Sequence, residues 1–575
     1  MNNFCIRCVL MPLLLAGLMA GTLTVCSENV PAGMLRVGMS EEPRTLNIWL
    51  ASDANSRKIL SKIYQPLYQH HPETLELIPW LAADLPEYDE KTVSYTVRLR
   101  EARWSDGTEL TSSDVAFTAE LIKEFRIPRH YSRWRFVTRI ETPDKRTVRF
   151  FLKKPKAIFR TRSLTIPIVQ QKEWDAVVRL ARTKEKPLAE LLNTKIESPV
   201  GAGPFVLKQW QEGAYLHMVR NPYFFGTGQT IAGRRLGPHI TDIVVKIFGT
   251  SDVAVLALKK GSIDMFWWGI QPGYLEDLKN QDDIHIFYSE KSALYFMGFN
   301  LRKPPFDDRH LRRAVATLVD KKFIISRILQ GFGTEMYSII PPGNRIWYNP
   351  EVEKYGAKLD REGRIREAHQ ILTEAGYSWD TPPIDDAGDI VTPSFIRLPN
   401  GQPMERFTIL TPPADYDPHR AISGLMIQEW LREVGMPAYS RPMAFASLLQ
   451  QVKGRHDFDT FILGYGKLST DPDYLRTFFL SANDKARGWN MSGYRNPEFD
   501  HLATESSQAM DLKERQALIR EMQSIILRDV PYYPIYDPLL IEAVRTDRFT
   551  GWVEMLEGIG NIWSFALLKP ISQES

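Results

Sequence analysis

The sequence predicts an α/β protein with more than one domain, and three features lead to this fold class. The chain has 575 residues, too many for one hydrophobic core, so two or three packed units are expected. The first half is rich in short segments with strand-like alternation. The second half alternates helix-like and strand-like segments, which is typical of an α/β lobe with a largely parallel sheet.

Short strands are predicted throughout the first half. Residues 34–39 form a first apolar segment, and residues 93–100 alternate with the period of two that indicates a half-buried strand. The turn that follows contains Gly107 after an aspartate, a pair suited to positive φ. Thr111 and Asp114 then have the spacing of a capping box, which predicts a helix start. Further strands are predicted at 146–152, 204–210, 215–219 and 243–248.

Helices and strands alternate from about residue 307 onward. Apolar residues recur at helical spacing in three segments, and Gly376 and Gly435 are placed to end two of these helices. A buried strand is predicted at 459–463. Because ligands of α/β sheets bind beyond the carboxyl ends of strands, we expect the loop after this strand to belong to a site.

Composition and charge exclude several classes of function. The 72 basic and 69 acidic residues leave a net charge of +3, and their dispersal gives no basic stripe for nucleic acid. All three cysteines, Cys5, Cys8 and Cys26, precede the predicted body. The body therefore has no disulfide, thiolate metal site or cysteine nucleophile.

Residues 1–26 resemble a secretory signal peptide. Arg7 stands among residues without an acid, an apolar run extends to Val25, and residues 27–29 are polar. A retained anchor helix is the alternative, because the run is near the lower length of a membrane span. Residues 23–26 resemble a bacterial lipobox, in which Cys26 would carry a lipid. We expect a periplasmic body that contacts the membrane only through such an anchor.

Motifs for catalysis are missing from the sequence. It has no G-x-S-x-G, Walker loop, H-E-x-x-H or G-x-G-x-x-G after a strand, so we predict that the protein is not an enzyme and needs no cofactor. His70 and His71 invite a metal interpretation. Adjacent residues on a strand point in opposite directions, however, so structural roles are favoured and no metal site is predicted.

Seven segments, in order along the chain, resemble motifs of the family 5 extracellular solute-binding proteins, which include dipeptide- and oligopeptide-binding proteins. The matching segments are 42–47, 95–114, 201–205, 220–223, 261–264, 300–314 and 493–500. The resemblance implies a two-lobed periplasmic-binding-protein fold with three domains around a hinged cleft. Its domain I would comprise 34–64, 197–292 and 537–575, its inserted domain II 65–196, and its α/β domain III 293–536.

The resemblance places part of the ligand site after the strand at 459–463. In peptide-binding relatives a Gly-Trp pair lines the site, and Gly464, Tyr465 and Gly466 match this pair with one aromatic exchange. Relatives then place an aspartate that holds the peptide α-ammonium where this chain has Leu468. Either the ligand lacks a free amino terminus, or another acid such as Asp473 serves, or the loop aligns differently. From Leu468 alone we expect weak binding of peptides with a free amino terminus.

Other segments match positions that contact ligand in the family. Ser52, Asp53 and Ala54 fall where relatives offer backbone and side-chain contacts, although a solvated loop explains them equally well. Of Trp267 and Trp268, one ring is expected to face the cleft. Tyr131 lies near a domain II loop that reaches ligand in relatives.

The function implied by the resemblance is that of the substrate-binding component of an ABC importer. Its partners would be a peptide or peptide-like solute and permease subunits in the inner membrane, with no nucleic acid, and the protein would be a monomer. Alternatives are a non-peptide solute, such as a metal chelate, glycoside or opine-like compound, and a sensor that presents its ligand to a membrane receptor.

Overall fold

The structure, a computed structural model, describes residues 31–267 and 269–571 of the chain. Three large sheets, of seven, four and six strands, form its framework. None of the described helices combines the length and apolarity needed to cross a membrane. Four two-stranded ribbons complete the described strands: Tyr68–His70 with Leu77–Pro79, Thr230–Ile231 with Arg234–Arg235, Ser378–Thr381 with Ser394–Arg397, and Phe549–Thr550 with Lys569–Pro570.

The seven-stranded sheet draws on the beginning, middle and end of the described chain. The predicted first strand, Met34–Met39, is central and pairs in parallel with two neighbours, which explains why Leu35 and Val37 are fully buried. In sheet order the strands are Ile284–Ser289, Leu540–Arg545, Met265–Phe266, Met34–Met39, Asp242–Ile247, Tyr215–Arg220 and Phe205–Gln211. The same parts of the chain supply the helices Ala54–Ile63, Ser251–Lys259, Leu275–Lys279 and Ile562–Leu567.

The four-stranded sheet is antiparallel and confirms the predicted alternation near residue 95. Tyr95 and Val97 are buried whereas Arg98 is exposed. The predicted capping box is present, because the Thr111 N–H donates to Asp114 Oδ2 at 2.9 Å at the start of a helix. In sheet order the strands are Glu87–Asp89, Ser94–Arg98, Thr147–Leu152 and Val137–Asp144. The helices are Ser112–Glu124, Tyr131–Trp134, Gln171–Arg182 and Pro187–Asn193.

The six-stranded sheet is mixed, so the prediction of a largely parallel sheet is wrong. Only two of its five strand pairings are parallel. Leu294–Phe299 and Tyr532–Pro538 connect through short segments to the seven-stranded sheet, and they pair antiparallel without a helical crossover. In sheet order the strands are Gly333–Glu335, Tyr532–Pro538, Leu294–Phe299, Thr460–Tyr465, Phe407–Thr411 and Ala438–Pro442.

Helices cover both faces of the six-stranded sheet. The helix predicted near 307 begins at Arg309, capped by Asp308, whose Oδ1 accepts from the His310 N–H at 2.8 Å. Gly376 has a φ of +88° just after a second predicted helix, as expected for a helix-ending glycine. The helices are Arg309–Leu318, Lys321–Phe323, Arg361–Glu374, Pro418–Arg432, Phe445–Leu449, Tyr474–Phe479, Pro497–Ser506 and Leu512–Asp529.

The hydrophobic core divides the described residues into two lobes. One cluster is shared by the seven- and four-stranded sheets, since it contains both Val37 and Val97. Two other clusters lie on opposite faces of the six-stranded sheet, around Met297 and Phe296. The first lobe therefore comprises the seven- and four-stranded sheets, and the second lobe comprises the six-stranded sheet.

The chain passes between the seven- and six-stranded sheets at two neighbouring points. Residues 290–293, the first crossing, join Ile284–Ser289 to Leu294–Phe299. Leu539, the second crossing, joins Tyr532–Pro538 to Leu540–Arg545. Because the flanking strands pair with each other in both sheets, the crossings run side by side, which is the arrangement of a hinge between lobes.

Candidate ligand-binding site

The carboxyl ends of three parallel strands meet at one edge of the six-stranded sheet. These strands are Phe407–Thr411, Ala438–Pro442 and Thr460–Tyr465. Leu294 lies opposite Tyr465 in the antiparallel neighbour, so the first crossing reaches the same edge. The 466–473 loop, which follows Tyr465, therefore lies where the chain passes between the lobes.

Hydrogen bonds and an ion pair hold the 466–473 loop against the first crossing. The Leu468 N–H donates to the Ser292 carbonyl oxygen at 2.5 Å. Lys467 Nζ is 3.5 Å from Glu557 Oε2, and the other oxygen of this carboxylate accepts from the Ser292 N–H at 2.8 Å. The loop is thus tied to both lobes at the hinge.

The other side of the loop contacts the part of the first lobe that contains the four-stranded sheet. A π-helical turn, Phe159–Ser163, directs Thr161 toward the loop, and the Thr161 hydroxyl donates to Asp471 Oδ2. Arg162 Nη1 lies 3.8 Å from Asp473 Oδ2. A cavity of about 220 Å³ beside these contacts is lined from both lobes, with Tyr95 on one side and Arg515 on the other. The loop therefore lies at the junction of all three sheets.

The predicted residues Gly464, Tyr465 and Gly466 occupy three distinct environments at this edge. A Cβ atom at Gly464 would lie 2.6 Å from the Tyr295 ring, so only glycine fits there. The half-buried Tyr465 ring is stacked between Phe296 and Phe478, with centroids 5.8 and 4.9 Å away, and burial raises its pKa. Gly466 is exposed. The faces of the Tyr465 ring are thus covered by two other aromatic rings, and ligand contact by Tyr465 and Gly466 stays a prediction.

Leu468 is buried rather than directed into solvent. It is 7% exposed and belongs to the same core cluster as Leu294 and Tyr474. Asp473, the acid considered as a substitute, receives hydrogen bonds from the Arg476 guanidinium on both oxygens, each at 2.8 Å. The charge of Asp473 is therefore already neutralised by Arg476. A ligand role for Leu468 stays a prediction.

The segment of Ser52, Asp53 and Ala54 begins the helix Ala54–Ile63. Asp53 Oδ1 caps the helix by accepting from the Ser56 N–H at 2.8 Å, which is a local structural role. The Ser52 carbonyl oxygen accepts from Arg57 and, at 3.4 Å, from Arg129 of the other part of the first lobe. Two guanidinium groups thus converge on the predicted segment.

Tyr131 lies within a cationic surface that the sequence analysis did not identify. The Arg126 guanidinium is 5.9 Å from the Tyr131 ring centroid. Arg133 Nε is buried and has no hydrogen-bond partner among the described residues. Burial, with the charges of Arg162 and Arg129, lowers the pKa of Arg133 to about 10. We call Arg129, Arg133 and Arg162 together the arginine wall.

The arginine wall has a signal in the sequence. Residues 125–140 and 153–163 each contain five lysines or arginines and no acidic residue. The overall net charge conceals these segments because acidic residues elsewhere balance them. Charge counted in short windows, rather than over the whole chain, would have identified the wall.

Trp267 lies in the core of the first lobe, which argues against its predicted ligand contact. It is 2% exposed, its ring centroid is 5.1 Å from that of Phe565, and Lys62 Nζ is 4.9 Å from it. Its carbonyl oxygen accepts from Lys58 Nζ at 2.6 Å. Trp268 lies outside the described residues, as do Cys26 and the whole signal segment 1–26.

The two histidines considered for metal binding have local partners. His70 Nδ1 is 2.8 Å from the Leu75 carbonyl oxygen, and His71 Nδ1 accepts from the N–H groups of Glu73 and Thr74, each at 3.2 Å. Within residues 31–267 and 269–571, no group of three or more His, Cys, Asp or Glu side chains is placed to hold a metal ion.

The structure has two lobes joined by paired crossings, and a loop at the carboxyl edge of one sheet contacts both lobes. This arrangement defines the class of hinged α/β binding proteins. A model of the bacterial extracellular solute-binding proteins, family 5 Middle, matches residues 76–487. The chain therefore belongs to the family 5 extracellular solute-binding proteins, as the sequence motifs indicated.

Known proteins of similar sequence cover nearly the whole chain. The oligopeptide-binding protein AppA of Bacillus subtilis is 26% identical over 513 residues, 88% of this chain and 86% of AppA. The probable D,D-dipeptide-binding periplasmic protein DdpA of Escherichia coli is 25% identical over 564 residues, 96% of this chain and 98% of DdpA. A solved periplasmic oligopeptide-binding protein from Thermotoga maritima has a TM-score of 0.74 at 25% identity, covering 94% of this chain and 100% of its own.

Proposed function

We propose that this protein captures peptides or peptide-like solutes in the periplasm for an ABC importer. The observation that carries this proposal is the 466–473 loop, which lies at a carboxyl sheet edge and contacts the hinge and both lobes. A solute bound on this loop touches every part that moves when the lobes close. Similarity to oligopeptide- and dipeptide-binding proteins supports peptides as the cargo.

The site residues that we propose combine the predicted positions with those added by the fold. Tyr465 and Gly466 would contact the cargo, with Gly464 allowing close packing of the strand edge beneath them. The backbone of Ser52 and the arginine wall would face the cargo from the first lobe. A peptide carboxylate is the anion that these guanidinium groups would pair with, because planar guanidinium and carboxylate form paired hydrogen bonds.

The three sheets correspond to the three domains that we propose, with domain I holding the seven-stranded sheet, domain II the four-stranded sheet and domain III the six-stranded sheet. Domains I and II would move together, because one hydrophobic cluster joins them. Closure would rotate domain III about residues 290–293 and Leu539. A ligand drives closure only if it binds the closed form more tightly than the open form.

Small-angle X-ray scattering tests the closure. We expect the radius of gyration to fall when the protein is saturated with its co-purified cargo, and mass spectrometry of that cargo identifies its class. The cargo-free protein, prepared by unfolding, dialysis and refolding, is the control. An unchanged profile at saturation contradicts hinge closure, and a cargo without peptide bonds contradicts the peptide assignment.

The alternative is a non-peptide solute, and Leu468 is the observation that favours it. A buried leucine at this position offers no counter-ion to a peptide ammonium group, whereas a metal chelate, glycoside or opine-like compound does not require one. Permease and ATPase genes beside this gene would support import for either class of cargo.

Export would precede these functions. We propose cleavage before Cys26 and lipid attachment to it, with the body held at a membrane face as a monomer. Intact-mass measurement of the exported protein tests both steps. Retention of residues 1–25 contradicts cleavage, and an unmodified Cys26 contradicts lipid attachment.

A further inference from the structure

An exposed tryptophan lies beside a lysine side chain on domain III. Trp489 is the most exposed tryptophan of the described chain, at 45%. Its ring is tilted against that of Phe478, with centroids 6.3 Å apart, and Lys453 Nζ lies 3.3 Å from the Trp489 ring centroid. Tryptophans of soluble proteins are usually buried over most of their surface. A large aromatic side chain is thus held at the surface by neighbours that cover only part of it.

Four basic residues lie in the two segments that hold this ring. Lys453 and Arg455 belong to a π-helical turn, and Lys485 and Arg487 directly precede the tryptophan. The Arg487 N–H donates to the Lys453 carbonyl oxygen at 2.8 Å, which joins the two segments. None of the four basic side chains forms an ion pair within the described part of the chain. We call these residues together the cation–tryptophan surface: Lys453, Arg455, Lys485, Arg487 and Trp489.

Acidic side chains in the same segments do not cancel these charges. Asp484 is already paired with two arginines, Arg302 at 2.6 Å and Arg495 at 2.8 Å. Asp457 is the one exposed acid in residues 450–457 and 483–489. Ions screen charges over about 8 Å at physiological salt, so an approaching surface responds to this local positive excess and not to the net charge of the whole chain.

Constrained backbone holds the cation–tryptophan surface in place. A Cβ atom at Gly488 would lie 2.2 Å from the Asn483 carbonyl oxygen, so the turn before Trp489 closes only around glycine. Arg487 has a φ of +62°, and His456, which ends the π-helical turn, has a φ of +56°. Residues other than glycine rarely adopt this left-handed backbone, and such conformations cluster at functional sites. Two constrained turns therefore present the tryptophan and its cations.

We infer that the cation–tryptophan surface binds anionic lipid headgroups, so that domain III lies on the face of a membrane. Lysine and arginine side chains near an anionic membrane each strengthen binding to it. Tryptophan prefers the level of the headgroups, because its ring is largely apolar and its N–H is a hydrogen-bond donor. This inference goes beyond solute capture, and it does not depend on a lipid at Cys26.

The cation–tryptophan surface lies close to the 466–473 loop. The Trp489 ring centroid is 6.4 Å from that of Tyr465, the last residue of the strand before this loop. When domain III lies on a membrane through this surface, the loop is therefore held beside the bilayer. Under the proposed function the permease subunits lie in that bilayer, so a captured solute would be held near them.

Vesicle sedimentation tests the inference on residues 27–575, which contain every described element and carry no lipid. The probes are vesicles of phosphatidylcholine alone and vesicles of phosphatidylcholine and phosphatidylglycerol in equal parts. We expect binding to the anionic vesicles to be about a hundredfold stronger, because each basic residue contributes about a fivefold gain. Raising the ionic strength should remove most of this preference, since salt screens exposed charges.

Variants assign the preference to the cation–tryptophan surface. Lys485→Gln combined with Arg487→Gln should weaken binding to the anionic vesicles about twentyfold, because two cations are lost. Lys453→Gln combined with Arg455→Gln should have a similar effect from the other segment, so the test does not depend on one variant folding. Trp489→Ala should weaken binding severalfold, because it removes the aromatic contact with the headgroups.

Lys322→Gln combined with Arg327→Gln is the matched control, because it removes the same charge from two exposed positions of domain III. These residues flank Ile324, whose core cluster lies on the opposite face of the six-stranded sheet from that of Val452. The control pair should change vesicle binding by less than about twofold. Thermal melts followed by circular dichroism check that each variant is folded.

Each outcome decides for or against the inference. Equal or absent binding to the two kinds of vesicle overturns it, and so do equal losses in the surface variants and the control pair. Binding to permease subunits in phosphatidylcholine without binding to anionic vesicles identifies a protein-docking surface and also overturns it. The expected preference and losses support the inference even where the co-purified cargo has no peptide bond, a result that contradicts only the proposed peptide cargo.

Discussion

Replacing Asp471 with asparagine is expected to destabilise the fold at the point where the 466–473 loop joins the two lobes. Asp471 is 3% exposed and bonded to the equally buried Arg515 through both oxygens. Thr161 donates to the same carboxylate from the first lobe. Burial alone would raise the pKa of Asp471, but Arg515, Thr161 and Arg162 outweigh it and hold the pKa at about 2.

The size of the expected stability loss follows from the pairing of Asp471 with Arg515. The pKa of Asp471 falls from 3.8 to about 2 on folding, which corresponds to about 2.5 kcal/mol of stabilisation at neutral pH. Because the folded pKa is the lower one, this contribution is present above about pH 4 and is lost as the pH falls toward 2. Asp471→Asn also leaves Arg515 buried with its charge unpaired, for a total loss of about 3–5 kcal/mol.

Urea unfolding followed by circular dichroism measures this loss. We expect a clear deficit for the variant at pH 7 and a smaller deficit at pH 3, where the wild-type pair is itself weakened. Glu498→Gln is the control, because its partner Arg528 and Glu498 itself are about half exposed and their contact should contribute less than about 1 kcal/mol. A loss below about 1 kcal/mol for Asp471→Asn, or the same deficit at both pH values, refutes the reasoning.

Three further substitutions test the site. Gly464→Ala places a methyl group 2.6 Å from the Tyr295 ring and should reduce the free energy of unfolding by about 1–3 kcal/mol. Gly466→Ala, with no atom within 4 Å, should stay within about 0.5 kcal/mol in the same melts, and equal effects would contradict the packing argument. Tyr465→Ala should weaken cargo binding by about 1–3 kcal/mol in calorimetry, whereas Tyr465→Phe should not; unaffected binding by the alanine variant would remove Tyr465 from the site. Arg133→Gln should lower affinity for trialanine about tenfold and leave that for trialanine amide unchanged, which follows if the arginine wall receives the carboxylate. A parallel loss for both peptides would assign Arg133 a structural role, and Arg139→Gln, on an exposed arginine, is the control.

Local structure could be predicted from the sequence because neighbouring residues determine it. The capping box at Thr111 and the glycine after Arg361–Glu374 depend on contacts within a few residues, and both have the expected geometry. The family could also be predicted, since its motifs are short segments whose order along the chain is visible without coordinates. The loop after the strand at 459–463 was located by the same local pattern.

Tertiary structure decided the features that depend on residues far apart in the chain. The six-stranded sheet is mixed because two of its strands, Leu294–Phe299 and Tyr532–Pro538, come from the seven-stranded sheet and pair antiparallel. The direction of these strands is set by where the chain crosses between the sheets. The burial of Trp267 depends on Phe565, which is almost 300 residues away. The pairing of Asp471 with Arg515 likewise depends on the fold, because the two residues are 44 positions apart in the chain. Whether a carboxylate is paired is a property of three-dimensional neighbours, and a single sequence carries little information about them.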